Sequence, residues 1–212
     1  MLPLVFDLDG TLIDSRRSIA AACNYALVAA GRAALPGIEI AGYVGDGARA
    51  LVARAFREDP RSAAVDAALV DFVRFYTAHP ILGTTWLPGA REALAFGRAT
   101  LVTNKARAIT VEILRALDVG HLFVAVIAGG DGPLKPDPSP ILAAVRALGA
   151  PAASTWVVGD GVQDILAGKA AGCRTAAVLG GFTSEERLRT AGPDVVLASL
   201  EKIDALESFA GS

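Results

Sequence analysis

Asp7 and Asp9 stand two positions apart in the segment FDLDGTLIDS, at the exit of the short apolar run Leu4, Val5, Phe6. Such a run reads as a buried strand, and Gly10 marks the point where the backbone leaves it. Alternation along a strand points both carboxylates to one side and turns Leu8 away. Two like charges about 4 Å apart repel by roughly 4 kcal/mol at an effective dielectric near 20. A fold tolerates that when a cation lies between them. A polar turn after a strand would use the same residues, so the pair alone leaves both readings open.

Three further segments carry chemistry at the ends of apolar runs. LVTNK (101–105) offers the Thr103 hydroxyl. The Asn104 backbone is expected to open the next helix, where N–H groups attract an anion; plain helix capping is the other reading. LKPDPSP (134–140) places Lys135 in a proline-stiffened loop, as a positioned cation or a solvated one. VVGDGVQDILAGKAAG (157–172) puts Asp160 just past a strand and Asp164 one helical turn on. Capping accounts for either aspartate but not easily for both. Four acidic groups, a lysine and a hydroxyl therefore gather at one sheet edge. Oxygen ligands without a His or Cys cluster indicate a hard cation, Mg²⁺ by default. His79 and His121 fall outside this set and read as structural.

These residues need a scaffold that presents strand ends together. From about residue 88 onward, strand candidates at 99–102, 123–127, 155–158, 175–178 and 195–197 alternate with helix candidates at 107–117, 140–148, 162–171, 185–190 and 200–206. Such alternation predicts an α/β fold, a Rossmann-like parallel sheet flanked by helices. Ser139 before Pro140, and Thr183 with Glu186, read as helix starts. Residues 15–83 show only helical patterns, near 15–30, 47–56 and 62–78, with the sheet resuming near Trp86. The expected organisation is an α/β catalytic core of 1–14 and 84–212, with an all-helical cap over 15–83 inserted after the first strand and a hinge near 81–88.

The chain has 212 residues and a formal net charge of −2, which argues against a nucleic-acid partner. No apolar run reaches the roughly 18 residues of a membrane span. No secretory leader is expected, and the two cysteines, Cys23 and Cys173, read as small core residues. A cytoplasmic protein, monomer or homodimer, is the expectation.

The ordered segments DLDGT (7–11), TN (103–104), KP (135–136) and GDxxxD (160–164) resemble the haloacid dehalogenase superfamily of phosphotransferases. The resemblance implies that Asp7 attacks phosphorus and forms an aspartyl phosphate, while Asp9 acts as acid and then base. It implies Mg²⁺ held by Asp7, the Asp9 main-chain carbonyl and Asp160, with Asp164 in support. Thr103, Lys135 and backbone amides at Gly10 and Asn104 would hold phosphoryl oxygens. True dehalogenases of the superfamily lack the second aspartate, so Asp9 favours phosphate chemistry. YVGDGARALVARAF (43–56), LVTNK and AGGDGPLKPDPSP (128–140) are similar to phosphoglycolate phosphatases, although Ser15 is followed by Arg16, Arg17 and Ser18 where that family often has Ala-Pro-Asp. A small phosphorylated metabolite, 2-phosphoglycolate first, is the implied substrate, and Arg49, Lys105, Arg16 or Arg17 would read its carboxylate. Pyrophosphate or a sugar phosphate are alternative substrates. A phosphomutase and a non-catalytic binding protein are the rival functions on the same scaffold.

Overall fold

A computed structural model describes residues 2–209. Strand β1 (Pro3–Phe6) is apolar on both sides and lies at the middle of the sheet. The other sheet strands are β4 (Arg98–Ala106), β5 (Phe123–Gly129), β6 (Trp156–Gly159), β7 (Arg174–Val178) and β8 (Val195–Leu197). The order is β5-β4-β1-β6-β7-β8, and every pairing is parallel. Leu4 sits opposite both Ala99 and Trp156, so β1 is hydrogen-bonded on its two edges. The chain leaves β1 for β4 and β5 on one side, then returns to β6, β7 and β8 on the other. That reversal opens a crevice beside the carboxyl end of β1, where open parallel sheets take ligands.

A parallel sheet buries both faces, which is why its strands read as continuous apolar runs. Leu4 and Phe6 face one core, shared with Leu101, Ile109, Ile113, Trp156 and Val158. Val5 faces the other, against Val102, Val157, Ile141, Val145 and Leu148. Helices α6 (Arg107–Leu117), α7 (Ser139–Leu148), α8 (Val162–Ala170) and α9 (Glu185–Ala191) connect the strands. Each fully buried Leu, Ile or Phe contributes about 1.5–3 kcal/mol, enough in sum to hold the strand ends in place.

Between β1 and β4 lie α1 (Arg16–Ala29), α2 (Gly37–Ala41), α3 (Ala48–Phe56) and α4 (Ala63–Ala78). Their apolar faces carry Ile19, Cys23, Leu27, Leu51, Phe56, Val65, Phe72 and Tyr76, continuous with the first core through Leu8, Leu12 and Ile13. Ser62 caps α4 by accepting from Val65 N. The two crossings between these helices and the rest of the chain run side by side as a small antiparallel ribbon, β2 (Ile13–Asp14) with β3 (Thr85–Trp86).

Several expectations need correction. The sheet does not resume near Trp86, because β3 pairs only with β2 and α5 (Ala90–Phe96) intervenes before β4. Strand β4 runs on through Ala106, so Asn104 lies inside the strand, not at the opening of α6. Ser139 is the first residue of α7; the turn before it is closed by Asp137, which accepts from Ser139 N at 2.8 Å. The residue capping α9 is Ser184, without a side-chain bond, in place of Thr183. The segment after β8 is 3₁₀ and extends to Phe209.

Gly89 opens α5 at φ 77°, and a Cβ there would run into the backbone of Leu200 and Glu201. Gly89→Ala therefore adds left-handed strain to a clash that no side-chain rotation relieves, costing about 2–4 kcal/mol. Thermal unfolding should occur roughly 5–15 °C lower. Gly149→Ala, also at positive φ but facing open space, should cost only about 1 kcal/mol. Equal shifts for the two would refute the packing argument.

Candidate active site

Asp7 follows β1 directly, and its N–H donates to Val158 O at 3.0 Å, so pairing with β6 holds its backbone. Its Oδ1 accepts from Lys135 Nζ at 2.7 Å. The same ammonium donates to Val102 O at 2.6 Å and makes a 2.6 Å ion pair with Asp164 Oδ1. Asp164 is fully buried in the first turn of α8, and its Oδ2 accepts from Gly161 N at 2.8 Å. It thus serves both as the cap and as part of the acidic cluster. Asp160 takes three bonds with the chain: Thr11 Oγ1 donates to its Oδ1 at 2.9 Å, Phe182 N donates to its Oδ2 at 2.7 Å, and its own N–H donates to Thr11 Oγ1 at 3.0 Å. Carboxylate oxygens of Asp7, Asp160 and Asp164 all lie within 4.8 Å of one another.

Asp9 has a different set of partners. Ser15 Oγ donates to its Oδ1 at 2.5 Å, and Lys105 Nζ reaches its two oxygens at 2.9 and 2.8 Å. Gly10, directly after Asp9, turns the chain at φ 85°. A Cβ there would strike the Asp160 carboxylate and the Phe182 ring, so only glycine fits.

Asn104 acts through its side chain. Its Nδ2 donates to Gly45 O and Lys135 O, both at 2.9 Å, and its Oδ1 accepts from Lys135 N at 2.8 Å. It thereby ties the loop before α3 to the backbone carrying the catalytic-cluster lysine, whose peptide bond to Pro136 is cis. Thr103 lines the same cavity, and its hydroxyl accepts from Lys105 N at 3.2 Å.

The cavity therefore gathers Asp7, Asp9, Thr103, Asn104, Lys105, Lys135 and Asp160, with Asp164 behind them and an opposite wall of Ile19, Val44, Leu51, Phe72 and Tyr76. Arg49 is elsewhere: its guanidinium donates to Pro60 O at 2.8 Å and pairs with Asp66 at 2.7 Å. Arg16 pairs with Asp14 and lies over the Phe182 ring, and Arg17 is exposed beside Gly83. His79 closes α4 by stacking on Phe75. Thr11, Ser15 and Phe182 belong to the site without having been singled out from sequence. Thr11 had a signal, its place beside the acidic pair; Ser15 and Phe182 became meaningful only once strand ends were adjacent.

Electrostatics define what the site can hold. Burial raises the Asp7 carboxyl, an effect that the Lys135 ammonium opposes and that Asp164 and Asp160 reinforce. Burial, with Asp164 beside it, pushes Asp160 up to about 7, despite the bonds from Phe182 N and Thr11. Burial alone would pull Lys135 down, but Asp164 and Asp7 more than reverse this and keep it charged. Around the cavity four carboxyl groups face two ammoniums, so full ionisation would leave an excess of two negative charges. Three clustered carboxylates, all oxygen donors and two of them, Asp7 and Asp160, raised by burial, match a hard divalent cation.

Known proteins similar to this chain define its family. The family model for haloacid dehalogenase-like hydrolases matches residues 4–172. A phosphoglycolate phosphatase of Pectobacterium atrosepticum is 36% identical over 203 residues, covering 92% of this chain and 87% of that protein. One from Neisseria gonorrhoeae is 34% identical over 214 aligned positions, covering 94% and 90%. A solved structure of a predicted phosphoglycolate phosphatase from Haemophilus somnus superposes with a TM-score of 0.87 over 98% of each chain, at 23% identity, and so shares the fold. The chain belongs to the haloacid dehalogenase-like hydrolases. Within them its kinship is with phosphatases, which makes it an enzyme of the phosphoric monoester hydrolase class.

The shifted carboxyls set a linkage with a definite sign. An ordinary carboxyl, as in the unfolded chain, ionises near 3.8, whereas folded Asp160 holds its proton to about 7. The folded state binds the extra proton in that window, so metal-free stability falls as pH rises from about 4 to 7. A bound divalent cation expels that proton. Mg²⁺ added to metal-free protein at pH 6 should release between one and two protons per ion, from Asp160 and Asp7, and stabilise more at pH 7.5 than at pH 5. Titration calorimetry in buffers of different ionisation enthalpy measures this; binding without proton release would contradict it.

Proposed function

We propose that the enzyme is a Mg²⁺-dependent phosphatase that hydrolyses a small phosphomonoester through an aspartyl-phosphate intermediate, with 2-phosphoglycolate as substrate. The observation that carries the reading is the separation of two neighbouring aspartates into distinct environments, each met by its own buried lysine. Asp7 belongs to the acidic cluster, Asp9 to the leaving-group side of the cavity. Asp7 Oδ attacks phosphorus, the P–O ester bond breaks, and the electron pair leaves with the alcohol oxygen as Asp9 delivers a proton to it. Asp9, now a carboxylate, takes a proton from water; that water attacks the phosphoryl group, frees phosphate and restores Asp7. The sum is ester plus water to alcohol plus phosphate.

Lys135 orients the Asp7 carboxylate and, with Thr103 and the backbone amides past Asp7, neutralises charge gathering on the phosphoryl oxygens. Asp7 and Asp160, with the Asp9 main-chain carbonyl and with Asp164 in support, would hold Mg²⁺. When bound, the ion supplies positive charge to the phosphoryl group and lets the buried carboxylates stay ionised. Thr11 keeps Asp160 aimed by bonding both its N–H and its carboxylate.

Residues 15–83 serve as a helical cap over a core of 1–14 and 84–212, and the cap wall excludes water from the reacting groups. The phosphoglycolate phosphatases among the relatives support 2-phosphoglycolate as the substrate, and the reaction belongs to the cytoplasm.

Asp7→Asn should cut phosphate release from 2-phosphoglycolate by about 10⁴-fold or more, since it removes the nucleophile. Rapid quench of the native enzyme should leave a phosphoryl adduct on the peptide containing Asp7, found by mass spectrometry. Full activity in the variant, or an adduct on another residue, would overturn the mechanism.

A further inference from the structure

The cavity wall facing the aspartates is apolar over Ile19, Val44, Leu51 and Phe72, and two polar groups interrupt it. Lys105 presents an ammonium whose side chain is 6% exposed. An ammonium has three donors; two hydrogen bonds end on Asp9, and the Tyr76 phenol stands beside the same group. The same nitrogen sits 4.4 Å from the centre of the Tyr76 ring. Tyr76, from α4, is 1% exposed, and its hydroxyl lies beside Lys105 and Ser15 without a hydrogen bond of ordinary geometry to either. A buried hydroxyl left unsatisfied is destabilising. The proposed chemistry gives this phenol no task, and phenylalanine would fill the same space without that cost.

We propose that Tyr76 and Lys105 form the subsite for a carboxylate on the leaving group, so that the enzyme selects phosphate esters of short 2-hydroxy acids. This inference rests on the phosphatase reading above. The phenol O–H and the remaining ammonium donor together offer two bonds to one carboxylate, charge-assisted and shielded from water by the apolar wall. Spacing sets the length of the substrate. Lys105 already touches the group that protonates the ester oxygen, so a carboxylate that reaches Lys105 must hang from the carbon next to that oxygen. A glycolate ester meets this condition. Gln163 and Thr183 are the cavity's other polar lining residues outside the cluster already described.

The test compares kcat/KM for 2-phosphoglycolate with that for 2-hydroxyethyl phosphate, which replaces the carboxylate by a neutral CH₂OH of similar size. The native enzyme should prefer the acid by about 100-fold or more, as two charge-assisted bonds imply. Tyr76→Phe keeps the ring beneath the ammonium and should shrink that preference about tenfold, mainly through KM for the acid. Lys105→Met should remove most of the remainder while also slowing both esters through Asp9. Both esters slowed by one common factor in each variant would overturn the subsite and leave these residues as supports of Asp9. If Lys105→Met does not fold, Tyr76→Phe decides alone, because its packing is conserved. Equal turnover of both esters by the native enzyme would also overturn the subsite while leaving the phosphatase reading intact. Turnover of neither would bring down both.

Discussion

Lys135 Nζ is the point on which three segments of the site converge, since it binds Asp7 at the end of β1, Asp164 in α8 and the Val102 carbonyl of β4. It is 3% exposed, so its charge and those of its partners have given up nearly all their hydration. Such a group is stable only while every partner is in place; a buried pair stripped of one member typically loses about 3–5 kcal/mol. The ammonium also relies on Asn104, which holds the Lys135 backbone on both its N–H and its carbonyl. The geometry of the acidic cluster is therefore set by a cation fixed from both ends, by its charge and by its main chain.

The second lysine explains why two aspartates two residues apart can differ so much in character. Asp7 remains in register with β6 and faces the other acids. Two residues on, past the end of β1, Asp9 meets Lys105 and Ser15 instead. With the cations on separate carboxylates, neither aspartate has to share its counter-charge with the other. The repulsion inherent in the spacing is converted into a difference of environment.

Much of this was legible in the chain because parallel-sheet chemistry concentrates at strand exits. Asp7, Thr103 and Asp160 each follow or end an apolar run, and apolar runs are what a sequence reveals best. Lys135 was legible only as a lysine among prolines; its burial depends on two carboxylates from remote segments. The Asn104 helix start was misplaced because β4 continues four residues past its apolar stretch, paired with β5 at a shifted register. Ribbon strands of two residues leave no periodic signal. Arg49 looked available to the cavity, yet Asp66 and the Pro60 carbonyl on its own side of the fold claim it. Tyr76 gave no sign at all, being one aromatic among several on the apolar face of α4.

The β2–β3 ribbon has a consequence for how such chains diversify. Because Ile13 sits opposite Trp86 and Asp14 opposite Thr85, the ends of the intervening stretch are already adjacent. Joining adjacent ends costs little additional loop entropy as the stretch grows, since the closure term rises only with the logarithm of length. The ribbon therefore works as a splice junction. Whatever is threaded between its two strands can lengthen, shorten or be exchanged while the sheet, its buried lysine and the acids beside it keep their register.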